Sequence, residues 1–245
     1  MELIKVCVLS GDGLNCELET SRAFSDERTK VEIVHINDFV NKENSLSSYD
    51  ILALPGGFSY GDDLGSASLL SFKIKRYMLN DMETFINDNK PVLGICNGFQ
   101  VLLKLNAFGN LFESFGLVKN KTNKFHHSVS RLTVLDSKCL WTQSIGNNIS
   151  LISRHGEGRF YTSQDDKVSL LNRINSSAQV VLKYCDNFNG SDGSIAGICN
   201  EKGNVFGLMP HPEVEINESH IKEKFLKEIF NNAIKYVEQE RNNEN

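Results

Sequence analysis

Short apolar runs in the first hundred residues each stop at a tight-turn signal, and sequence of helical period follows. Leu3 to Ser10 ends in Gly11-Asp12-Gly13, Asp50 to Leu54 ends in Pro55-Gly56-Gly57, and Pro91 to Ile95 runs straight into a helical stretch from Gly98 to Leu105. Between them, residues 15–25 put Cys16, Thr20, Ala23 and Phe24 on one side of a helix, and Val31 to Ile36 alternates as a strand. Residues 66–87 carry Leu69, Leu70, Ile74, Met78, Met82, Phe85 and Ile86 at helical spacing. Strands that are apolar throughout are buried on both faces. Alternated with amphipathic helices, they predict an α/β fold, a parallel sheet with helices on both faces.

The second half reads differently. Residues 125–136, 149–153, 179–184, 194–199 and 204–208 are short strand-like stretches separated by Asn, Gly and Ser, with little helix between them. They suggest extra antiparallel strands or a small β layer. A final amphipathic helix carries Ile221, Phe225, Leu226, Ile229, Phe230, Ala233, Ile234 and Val237, and the tail from Glu240 to Asn245 should fray. No internal repeat or linker is visible, so residues 1–245 read as a single domain, long enough to bury a core without disulfides or metal.

Charge excludes some function classes. With 26 Lys+Arg against 31 Asp+Glu, the net charge is −5, so no nucleic-acid partner is expected. No run of eighteen apolar residues predicts a membrane span, and the strand-like start lacks the features of a signal peptide. A cytoplasmic location is expected. The six cysteines are scattered without a C-x-x-C pair, and His126-His127 would face opposite ways on a strand, so no metal site is expected. The loop Gly11 to Cys16 begins like a dinucleotide fingerprint but lacks its third glycine, and reads instead as a first-strand loop near a site. No phosphate-binding G-x-x-x-x-G-K-[ST] occurs.

Chemistry concentrates in three places. In Gly94-Ile95-Cys96-Asn97-Gly98-Phe99-Gln100, a strand meets a helix at a cysteine. A turn that sharp lifts Cys96 above the carboxyl edge of the sheet, where open α/β sheets bind ligands. The helix N-terminus favours a thiolate, and the backbone N–H of Asn97 is placed to hold an oxyanion. A thiolate nucleophile needs a base and the base an orienter. Pro210-His211-Pro212-Glu213 supplies both, again at a strand end. Pro55-Gly56-Gly57-Phe58 ends another strand and offers a second oxyanion donor at the Gly57 N–H. The polar turn His155-Gly156-Glu157-Gly158-Arg159 suggests contact with a ligand or partner.

Gly94-x-Cys96-x-Gly98-x-Gln100 with the later Pro210-His211-Pro212-Glu213 resembles the class I glutamine amidotransferases. Taken with Pro55 to Asp62 and His155 to Phe160, the four motifs resemble most closely the glutaminase subunits of phosphoribosylformylglycinamidine synthases. The resemblance implies a flavodoxin-like, mostly parallel sheet. It implies that Cys96 attacks the side-chain amide of glutamine, with His211 as proton carrier and Glu213 holding it. Gly57 and Asn97 N–H groups would bind the oxyanion, and Gly56, Phe58 and Gln100 would contact the glutamine. No cofactor is implied in this chain. Ammonia would pass to a large synthetase subunit that uses ATP and Mg, joined in many organisms by a small third subunit. Asp63-Leu64-Gly65 and Phe188 depart from the usual pattern. Another amidotransferase, a stand-alone γ-glutamyl hydrolase and a non-catalytic scaffold remain the alternatives.

Overall fold

The computed structural model describes residues 2–214 and 224–243. A nine-stranded sheet forms its centre. Five parallel strands make one half: β1 (Ile4–Ser10), β2 (Thr29–His35), β3 (Ile51–Leu54), β4 (Val92–Ile95) and β11 (Val205–Leu208), in the spatial order β2-β1-β3-β4-β11. That is the flavodoxin-like order, with a strand from the end of the chain in fifth place. β3 and β4 are apolar and buried at every position, as strands covered on both faces must be. The other half is antiparallel and continues outward through β10 (Ile195–Cys199), β9 (Val180–Tyr184), β6 (His126–Val134) and β7 (Asn148–His155).

Among the described residues there are seven α-helices. On β1, α1 (Glu17–Phe24) packs beside α7 (Lys224–Asn243), where Phe24 meets Phe230 and Trp141 edge to face. A second group, α3 (Ser68–Tyr77) with α5 (Asn97–Lys104), packs through α5 onto β3, β4 and β11. Gly98 of α5 makes the contact so close that any Cβ would overlap the Leu54 carbonyl oxygen. No helix among the described residues is long and apolar enough to cross a membrane.

The structure departs from the sequence expectations in places that have physical reasons. Residues 66–87 are two helices, α3 and α4 (Leu79–Asn87), broken at Met78 with φ −131°. The break turns the buried stripe, so that Leu70, Ile74, Met78, Met82 and Phe85 all reach the core. The stretch 204–208 is no antiparallel addition: as β11 it pairs parallel with β4. Helix α2 (Ile36–Val40) and helix α6 (Lys167–Ser176) were not anticipated; in α6 only Ile174 is fully buried and Val168 is exposed, which leaves a weak periodic signal. A separate two-stranded sheet of β5 (Gly116–Lys119) and β8 (Glu157–Tyr161) was also missed. Helix α7 continues to Asn243, where fraying was expected, while Ile221 and the last two residues lie outside the described residues.

Candidate active site

The parallel strands end nearly level. Leu54 of β3 is in register with Gly94 of β4, which faces Gly207 of β11. The loops that follow β1, β3, β4 and β11 therefore open at one edge. Backbone hydrogen bonds tie them together. Phe58 N–H donates to the Gly13 carbonyl at 2.9 Å, Cys16 N–H to Gly56 at 3.3 Å, and Cys96 N–H to Leu208 at 2.8 Å. His211 N–H donates to Ile152 of β7 at 2.7 Å, which brings the antiparallel half of the sheet to the same rim.

Cys96 occupies the turn between β4 and α5 with φ 50° and ψ −102°, a conformation an L-residue holds only when its surroundings enforce it. Its thiol lies 3.9 Å from the Arg154 carbonyl. His211 is buried, and its Nδ1–H donates to Glu213 Oε1 at 2.6 Å. That bond fixes the ring and leaves Nε2 without a partner. Burial by itself would lower the His211 pKa. The Glu213 charge and the two thiols that face the ring, Cys16 and Cys96, outweigh it and hold the pKa well above the usual histidine range.

Gly57 has φ +148°, and a Cβ there would come within 2.7 Å of the Leu14 Cα. Only glycine lets this backbone lie against the β1 loop. Asn97 heads α5, where the first N–H groups have no acceptor inside the helix. Its side chain donates to Gln100 Oε1 at 3.2 Å, and Gln100 Nε2 donates in turn to the Glu157 carbonyl at 2.6 Å. Gly56 lies against His211: a Cβ on it would come within 2.7 Å of Cε1.

A cavity of about 430 Å³ opens over these groups, within the range of small-molecule sites. Cys96, His211, Gly57, Phe58 and Gln100 all line it. Its wall also carries Glu19, Asp62, Glu157 and Arg154, a mixture of signs suited to a zwitterion. Burial, with the Glu157 charge nearby, raises the Asp62 pKa against the pull of a hydrogen bond from Ser66, and Asp62 Oδ1 has no partner. Phe58 and Phe125, both half exposed with ring centroids 6.4 Å apart, flank the mouth.

Two residues of the site carried no chemical signal in the sequence. Cys16, beside His211, belongs in the sequence pattern to the first-strand loop and to the apolar side of the helix that follows. Arg154, at the end of β7, places Nη2 3.2 Å from Cys16 Sγ and 3.8 Å from Glu213 Oε1. The polar turn 155–159 divides its duties. Glu157 reaches the cavity, whereas Arg159 donates to the Gly190 carbonyl at 2.9 Å and lies over the Tyr161 ring, clamping the loop 187–191. In that loop Phe188 stacks on His126 at 3.7 Å, which gives the departure at this position a packing role. His127 turns the other way, into the cavity.

Residues 4–237 match the model of the CobB/CobQ-like glutamine amidotransferase domain. The phosphoribosylformylglycinamidine synthase subunit PurQ of Methanococcus maripaludis is 37% identical over 95% of this chain and 97% of its own length. The protein of the same name from Treponema denticola is 35% identical over 95% and 98%. Among solved structures, a chain of PurLQS from Thermotoga maritima matches with a TM-score of 0.77 and 29% identity, covering 96% of this chain and 99% of that one. With a cysteine on a strand-to-helix turn and a His–Glu pair beside it, the chain belongs to the CobB/CobQ-like glutamine amidotransferase family.

Proposed function

We propose that this chain is the glutaminase subunit of phosphoribosylformylglycinamidine synthase, hydrolysing glutamine and supplying ammonia to a large synthetase subunit in de novo purine biosynthesis. The observation that carries the chemistry is the buried His211. Glu213 accepts a hydrogen bond from its Nδ1–H at 2.6 Å, and the opposite face of the ring, with Nε2 free, meets a thiol held on a strained bend. The relatives named for this subunit, similar over nearly the whole chain, carry the assignment of the product's destination.

The steps follow from the geometry. The Cys96 thiol passes its proton to His211 Nε2 and its sulfur attacks the δ-carbon of glutamine, and the oxyanion that forms is held by the N–H groups of Gly57 and Asn97. His211, whose pKa is raised, delivers its proton to the departing amine, and ammonia leaves a γ-glutamyl thioester. His211 then takes a proton from water, the hydroxide attacks the thioester, the C–S bond breaks to release glutamate, and His211 returns its proton to the departing sulfur, restoring the thiol. Gln100 and Phe58 form the wall against which the substrate lies, and Gly56 leaves room for the imidazole. ATP and Mg belong to the synthetase, a small third subunit completes the complex, and we place all three in the cytoplasm.

Glutamine hydrolysis by the purified chain, with and without the co-purified synthetase and its substrates, tests the assignment. A coupled glutaminase is slow alone and accelerates in the complex. Full activity alone, unchanged by the synthetase, would indicate a stand-alone γ-glutamyl hydrolase.

A further inference from the structure

Cys96, His211 and the walls beside them account for the amide end of glutamine. The other end is charged, with an ammonium and a carboxylate on the α-carbon. Four single bonds put that nitrogen within about 5 Å of the δ-carbon. The cavity over Cys96 supplies what the nitrogen needs. Asp62, Ser66 and Glu157 line it together with His211, which is 1% exposed and whose Nε2 has no hydrogen-bond partner. Ser66 joins the two acids. Its N–H donates to Glu157 Oε2 at 3.3 Å and its hydroxyl to Asp62 Oδ2 at 3.0 Å. One carboxylate comes from the loop after β3 and the other from the start of β8.

Two acids within hydrogen-bond reach of one serine repel each other, and burial adds to the cost. Burial first, and the Glu157 charge with it, raise the Asp62 pKa. Hydrogen bonds from Ser66 and the Ala67 N–H oppose the rise, and no cation does so among the described residues. Asp62 Oδ1 is buried and accepts no hydrogen bond. The backbone holds this arrangement under strain. Tyr60, Gly61 and Asp62 are all left-handed, with φ 54°, 68° and 55°. Asp62 lies against the cavity, whereas Leu64, two residues on, is 72% exposed.

Resting on the glutaminase reading, we propose that Asp62 and Glu157 together hold the α-ammonium of glutamine and so restrict the enzyme to the free amino acid. An ammonium has three donors, enough to meet Asp62 Oδ1 and a Glu157 oxygen at once through charge-assisted hydrogen bonds. Its charge also offsets the repulsion between the two acids. Glutamine within a peptide is acylated at this nitrogen. It keeps one N–H and no charge there, and it is refused. Glu19, another acid of the cavity, stands on α1, outside the link that Ser66 makes.

Glutaramate, which is glutamine without its α-amino group, is the probe. The full chain carrying Cys96→Ala binds without turnover. Calorimetry on it should show glutamine about ten- to a hundredfold tighter than glutaramate, the range for hydrogen bonds to a charged group. Asp62→Asn and Glu157→Gln, each added to that background, should close the gap by about three- to tenfold, since two carboxylates share it. The loss should fall on glutamine. Glu19→Gln should leave the gap as it was. The two acid variants lie on separate segments, so the result does not hang on the folding of either. Equal affinity for the two ligands in Cys96→Ala, an undiminished gap in either acid variant, or a gap closed as far by Glu19→Gln would overturn the proposal. Hydrolysis is measured separately with Cys96 in place. A chain that binds glutamine with this selectivity yet never releases ammonia from it would sink the glutaminase assignment and leave the ammonium subsite standing.

Discussion

Gly56 lies so close to His211 that a methyl group on its α-carbon would come within 2.7 Å of Cε1. The same methyl would sit 3.2 Å from Cys16 Sγ. Gly56 has no left-handed dihedral to explain it, so space alone requires the glycine. Gly56→Ala should therefore displace the imidazole while leaving the fold intact. A shift of about 1 Å in a catalytic group can cost about 100-fold in rate. We expect kcat to fall by about that factor with a smaller change in KM, measured by steady-state glutamine hydrolysis alongside a melting curve. A variant with wild-type kcat would show that His211 need not stay where it is.

The raised pKa of His211 gives the enzyme an alkaline limb above the ordinary histidine range. Burial pulls the pKa down from 6.5; the Glu213 charge and the two neighbouring thiols push it further up. The protonated ring is the form that protonates the leaving amine, so kcat/KM should decline only as pH rises through that elevated value. Glu213→Gln keeps a hydrogen-bond acceptor but removes the charge, and the alkaline limb should move to lower pH. Stability carries the same sign. The folded state holds the proton more tightly than the unfolded chain, so this contribution is complete below about 6.5 and is lost as pH rises through the folded value. Glu213→Gln should thus cost more stability at pH 6 than at pH 10. A pH profile with its limb unmoved would remove Glu213 from the role of setting His211.

Cys96→Ala should reduce glutamine-dependent synthesis by roughly 10⁴-fold or more, while the complex continues to use free ammonia. Cys96→Ser should be nearly as damaging, because an alkoxide is far harder to form near neutral pH than a thiolate. Assaying both nitrogen sources on the same complex separates the outcomes. Equal loss with glutamine and with ammonia would mean that the thiol serves the structure of the complex instead of the chemistry.

What could be read from the sequence was what local pattern encodes. Residues 51–54 and 92–95 are buried strands because every side chain in them is apolar, and Cys96 announces its turn through the glycines on either side. His211 and Glu213 were legible because two prolines frame them. The parallel placement of β11 beside β4 was not, since nothing within Val205–Leu208 distinguishes a parallel from an antiparallel strand. Cys16 and Arg154 were illegible as site residues for a related reason. Each joins the cavity only because a different strand brings its loop to the common edge, and such pairings are long-range.

His155 makes the last prediction, and it concerns folding rather than catalysis. Nδ1 bonds Asn120 Oδ1 at 3.1 Å, Nε2 is buried without a partner, and a Cβ on Gly158 would lie 2.4 Å from Nδ1. The ring is thus enclosed. Burial first, then the nearby His211 and His126, push its pKa from 6.5 down to about 3. The sign is opposite to that of His211: the unfolded chain takes up a proton near 6.5 that the folded protein refuses. Stability should therefore decline as pH falls from about 6.5 toward 3, with His155 contributing a slope of up to about 1.4 kcal/mol per pH unit. His155→Gln, which carries no titrating group and can still bond Asn120, should lower stability at pH 7 yet flatten that slope. Urea unfolding at a series of pH values reads the slope directly, and one as steep in the variant as in the parent would show that the acid sensitivity arises elsewhere.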